Sequence, residues 1–212
     1  MSTANSFLGG AQDRLLPASI PFRFFLTAAL FHVLAWAVLL LAANDIAQFR
    51  GGPGLTLAAI HLATLGVFAM TAIGASFQLL PVVTRRPLAW VWPTRLSFWL
   101  LLPGICVLTL GMAFVETVLM QAGAITVCAG LLVFLILTAD NLRHASSIPV
   151  VSVHGCLALA ALVWVATLGL FLVWDFDTGF LQNHSDLALI HMLLGGFGFM
   201  GMLAFGLSLV LV

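Results

Sequence analysis

Polar residues in this chain come in short bursts separated by long apolar runs, and the runs set the architecture. Six can be drawn: Phe22 to Ala43, Leu55 to Val83, Thr94 to Phe114, Thr117 to Ala139, Pro149 to Trp174 and Leu187 to Val212. An α-helix needs roughly 20 apolar residues to cross about 30 Å of hydrocarbon, and every run is long enough. The pattern predicts an all-α, polytopic membrane helix bundle of about six transmembrane helices. The segments between the runs carry turn and break signals: Gly51-Gly52-Pro53-Gly54, Arg85-Arg86-Pro87, Asp140-Asn141 and Asp177-Thr178-Gly179. They leave no room for a soluble domain. The expected organisation is therefore an N-terminal cytoplasmic segment, 1–21, followed by a six-helix transmembrane domain, 22–212.

Composition makes the same point, since charged residues are 7% and apolar residues 63% of the 212 positions, too few charges to solvate a soluble domain of this size. The formal net charge is zero, but its distribution is informative. Arg14, Arg23, Arg85, Arg86, Arg95 and Arg143 flank one set of helix ends. Arg50 alone shares the other set with Asp45, Glu116, Asp175, Asp177 and Asp186. The positive-inside rule then puts both termini in the cytoplasm, which an even number of spans requires. The expected location is a bacterial inner membrane. Trp90, Trp92, Trp99 and Trp174 fall where interfacial anchors belong. Cys106, Cys128 and Cys156 lie in apolar runs without metal-ligand spacing and read as packing residues. Met1 to Ile20 lacks a basic signal-peptide start, so the first span is expected to stay in the mature protein. The run to Val212 ends without a polar tail, as expected of a truncated or half-length form of a longer protein.

The second and sixth runs resemble each other. His61 to Met70 (HLATLGVFAM) aligns with His191 to Met200 (HMLLGGFGFM), and the match continues at Leu79 against Leu209 and Val82 against Val212. An offset of four spans suggests a four-helix repeat. Both histidines then lie roughly 6 to 9 Å below the outer face, level with one another. Two level imidazoles can ligate a haem iron. Gly66, Gly74, Gly195, Gly196, Gly198 and Gly201 either make room for a flat macrocycle or serve helix packing. His32, near the middle of the first span, and His154, near the inner end of the fifth, form a second candidate pair at unequal depths. His144 and His184 fall in loops and read as solvated. A histidine inside the membrane is costly and usually faces a cavity, a partner or a cofactor. The candidate ligands are accordingly His61, His191, His32 and His154, with His61 and His191 leading.

The run from His61 to Val83, with its histidine, early glycine, Gln78 and closing Leu79-Leu80-Pro81-Val82, resembles the histidine-bearing helices of haem-copper oxidase subunit I. It is similar also to that family's nitric oxide reductase and NnrS-type relatives. The resemblance implies twelve helices in three arcs of four, with histidines on helices two, six and ten, of which this chain would supply the first half. It implies haem b, one or two per chain, with His61 as a haem ligand and His191 as a metal or haem ligand. The departures are clear: Met192 and Leu193 stand where the catalytic oxidases have proline and glutamate, there is no tyrosine, and no His-His pair is present for copper. Copper is thus not supported by a motif, and oxygen reduction by this chain alone is not expected.

The expected function is a haem-binding membrane protein in electron transfer or small-gas binding, nitric oxide or oxygen, as a possible oxidoreductase component. Quinol or a cytochrome c would be its redox partner, the lipid bilayer its solvent, and a second copy or other membrane subunits its neighbours. The competing reading is a non-enzymatic subunit, assembly factor or transporter whose histidines serve helix packing or proton movement. Glu116, the only glutamate, lies in an outer turn, and no pair of broken helices marks a transport site. No phosphate-cradling loop, nucleophile elbow or basic stretch for nucleic acid is found.

Overall fold

A computed structural model describes residues 14–145 and 149–208. Six helices long and apolar enough to cross a membrane account for most of them, and the chain is an all-α integral membrane bundle. They are α1 (Ser19–Leu41), α2 (Leu55–Val83), α3 (Trp92–Phe114), α4 (Thr117–Arg143), α5 (Pro149–Thr178) and α6 (His184–Ser208). Residues 1–13 of the N-terminal segment, and Leu209 and Val212 at the end of the repeat, lie outside the described residues.

Six boundaries move from those expected; among them α1 closes at Leu41 and not Ala43, and α6 opens at His184 and not Leu187. α1 begins at Ser19 and α3 at Trp92, each slightly early. Asp140-Asn141 does not break α4, which continues to Arg143, and α5 runs through Asp177 to Thr178. Polar residues at a membrane surface cost a helix little, so hydropathy marks where the lipid ends and not where the helix ends. The glycine breaks do act as read. Gly51, Gly52, Gly54 and Gly179 all have positive φ, in the turns before α2 and after α5. α3 closes on Val115 at φ 60°, with Glu116 N–H donating to Gly111 O at 2.8 Å.

α3 and α4 form the tightest pair in the bundle. Glycines Gly104 and Gly111 of α3 and Gly123 and Gly130 of α4 recur every seven residues at their interface. A Cβ on Gly104 would stand 2.8 Å from the Val127 backbone nitrogen. In lipid, where hydrophobic association is weak, this backbone approach provides dispersion contact instead. A chain of edge-to-face rings crosses the core. Phe24 of α1 meets Phe98 of α3 at 5.2 Å and Phe77 of α2 at 5.8 Å. Phe77 meets Phe134 of α4 at 5.4 Å, and Phe134 meets Phe199 of α6 at 6.1 Å.

One buried amide fixes the arginine-bearing end. Asn141, only 2% exposed, accepts from Thr84 Oγ1 at 2.9 Å and donates to Arg86 O at 2.8 Å. It ties the α2–α3 turn to α4, and Arg85 within that turn takes φ 55°. α6 rests mainly on α5 and is the least buried of the six. Trp90, Trp92 and Trp99 are exposed as anchors should be, whereas Trp174 packs against the core.

Candidate functional site

Each leading histidine stands at the start of a non-standard stretch of helix. α2 turns π-helical over Leu62–Ala69, directly after His61, and α6 does so over Leu194–Gly201, three residues after His191. π-helical turns are rare and commonly mark functional positions. In the sequence alignment of the two helices the π stretches are displaced by two residues. His61 and His191 fall six and seven residues after the first residues of their helices, Leu55 and His184. They are therefore at nearly equal depth. α2 and α6 meet through Met70–Val83 and Met202–Ser208, at the end away from the histidines, and pack less closely at the histidine end.

The hydrogen bonds define which ring nitrogen is available. Nδ1 of His61 lies 3.0 Å from Leu57 O, on its own helix, and Nδ1 of His191 lies 3.0 Å from Val165 O, on α5. Carbonyls only accept, so each Nδ1–H donates and each Nε2 keeps its lone pair. An imidazole oriented by a carbonyl at one nitrogen and bare at the other is what an iron or another metal requires of a histidine ligand. The α5 side of His191 is shaped for the ring: a Cβ on Gly169 would come within 3.1 Å of its Cε1.

The glycines divide into two groups. Gly66 and Gly74, expected to clear space for a macrocycle, are instead filled from α1, where Phe31 and Phe24 would lie 2.7 Å from an added Cβ. Gly198 likewise receives Ala161 of α5 at 2.8 Å. Gly195 and Gly196 face open space, with nothing within 4 Å of an added Cβ. The open glycine positions are on α6, not on α2.

The second candidate pair is not brought together. His32 is exposed on α1, and its Nε2 accepts from the Trp36 indole at 3.0 Å. It borders a shallow groove of about 390 Å³ with Phe25, Val67 and Thr71. His154 donates from Nδ1 to Val150 O at 2.8 Å, and its Cβ is packed where a Cβ on Gly206 would reach. α1 and α5, which carry these two, are not packing neighbours.

His184, read as a solvated loop residue beside Asp186, opens α6 and pairs with Asp175 of α5. Its Nδ1 stands 2.6 Å from Asp175 Oδ2, while Leu181 N–H donates to Oδ1 at 2.6 Å. Phe176 lies against its ring at 4.9 Å. A partner nine residues earlier across a turn has no sequence signature. His144 is exposed, as expected, beside Asp140. Two further buried polar atoms, Ser76 Oγ and Gln78 Oε1, have no hydrogen-bond partner among the described residues, and both lie on α2 well past the histidine.

Among the described residues no three His, Cys, Asp or Glu side chains cluster as a metal centre, whereas a haem needs only one or two axial imidazoles. The donor set of His61 and His191 fits a haem, and the open flank at Gly195 and Gly196 is compatible with a planar ring beside them. Compared with known proteins, the chain matches no family, no curated protein and no solved structure.

Proposed function

We propose that this chain is a haem-binding integral membrane protein, with His61 and His191 as iron ligands, that transfers electrons or binds a small gas near the end of the bundle opposite Arg85 and Arg86. The observation that carries this reading is the pair of level imidazoles on α2 and α6, each with Nδ1 committed to a carbonyl and Nε2 without a hydrogen-bond partner among the described residues. Bound haem would supply one-electron redox chemistry and, if one axial position stayed open, affinity for a diatomic gas. The chain's own residues hold the imidazoles. Leu57 O and Val165 O fix their tautomer and orientation. Quinol or a cytochrome c is the proposed electron donor. If both rings ligate one iron the site suits electron transfer; if they serve different centres, one can take a gas.

A membrane subunit without redox chemistry is the second reading, favoured by the exposed apolar face of α6, where Met192, Phe197 and Phe205 have no cover. A reduced-minus-oxidised spectrum of the detergent-purified protein, with pyridine haemochrome quantitation and carbon monoxide, separates the two. We expect one or two haems per chain, lost in His61→Ala and His191→Ala and retained in His144→Ala. Folded protein without haem, or equal spectra in all three variants, would sink the ligand assignment and leave the subunit reading.

A further inference from the structure

A second feature, at the opposite end of the bundle from His61 and His191, is independent of them. The α2–α3 turn and the end of α4 enclose an open cavity of about 650 Å³, lined by Arg85, Arg86, Trp90, Asp140 and His144 among others. Asp140, the only acid in the lining, is already approached by Arg143 at 3.4 Å and His144 Nδ1 at 3.3 Å. Arg85 and Arg86 make no ion pair among the described residues, although both line the same cavity. Two unpaired guanidiniums side by side present forked donors that match phosphate oxygens.

The cavity has a fixed wall. Asn141 holds the carbonyl of Arg86, and Thr84 beside it is buried, so the two arginines project from a turn tied to α4. Its depth is that of lipid headgroups: Trp90 on its rim and Trp92 beyond are exposed in the manner of interfacial tryptophans. Val91, Trp92 and Leu96 next to it offer an exposed apolar flank on which acyl chains can lie.

We infer that this cavity binds the phosphodiester headgroup of an anionic phospholipid, with Arg85 and Arg86 as its anion ligands. A basic pocket between membrane helices, at the level of the surface, is the setting in which such headgroups are held. A soluble phosphate would meet the same guanidiniums but gain nothing from the apolar flank.

The test is native mass spectrometry of the delipidated full chain titrated with phosphatidylglycerol or phosphatidylcholine, with and without millimolar inorganic phosphate. Phosphatidylglycerol should be preferred, and its affinity should fall roughly fivefold for each arginine removed in Arg86→Gln and in the Arg85→Gln, Arg86→Gln double variant. Arg95→Gln, which does not line the cavity, should bind as the parent does, and phosphate should not displace the lipid. Equal binding of the two lipids, an equal loss in Arg95→Gln, or displacement by phosphate would each overturn the assignment. Melting temperatures keep folding separate from binding, and Arg86→Gln alone decides the matter if the double variant does not fold.

Discussion

At the residue scale, what distinguishes one polar side chain from another is the partner it finds. Asn141 is the clearest case. Its amide bridges α4 to the turn carrying Thr84 and Arg86. Asn141→Ala leaves the Arg86 carbonyl without its donor and opens a small void. The expected loss is about 1 to 2 kcal/mol, the upper part of the range for interhelical polar contacts in membranes. Equilibrium unfolding in mixed micelles reads it, and an unchanged midpoint would show that water replaces the amide there. The histidines teach the same lesson. His32, His61, His154 and His191 look alike in sequence as imidazoles in apolar runs, but Trp36 occupies the Nε2 of His32 while carbonyls leave that of the others bare.

At the element scale, glycine serves two different ends. On the α3–α4 seam any side chain at Gly123 runs into the backbone of Leu108, whereas Gly195 on α6 has nothing near it. Gly123→Leu should therefore destabilise by about 1 to 3 kcal/mol or prevent folding through overpacking. In the haem-free protein Gly195→Ala should be neutral or stabilising by about 0.5 to 1 kcal/mol, because alanine is the better helix former and meets no neighbour there. Thermal unfolding of both variants in one detergent makes the comparison. Equal effects would mean that the seam is looser than the structure has it. The repeat of a histidine followed by π-helical turns, on α2 and again on α6, is an element-scale feature too. The alignment of His61 with His191 was legible in sequence, but the π stretches have no composition of their own and were not.

For the whole molecule, six antiparallel spans put Arg86 and Glu116 at opposite ends, and the Asn141–Arg86 bond shows that the α2–α3 turn and the end of α4 share one end. Single cysteines at these exposed positions, in a background lacking Cys106, Cys128 and Cys156, test the arrangement with an impermeant maleimide. Glu116→Cys should label in intact cells and Arg86→Cys only after permeabilisation, as the arginine distribution requires. Labelling of both from one side would remove the six-span topology, and reversed labelling would invert its orientation. α6, resting mainly on α5, is the part of the bundle with most surface left for lipid or a partner.

The sequence by itself determined the solvent, the number of spans and their order, because the length and apolarity of each run are local properties. Helix ends were less legible, since Asp140 and Asn141 cost α4 nothing at the interface. Only the tertiary structure decided which face of each helix is inward. In water a buried face is betrayed by its apolar period, but lipid is as apolar as the core, so both faces of these helices carry the same residues. Hence nothing local foretold that Gly66 would take Phe31 or that His191 would find Val165 on α5.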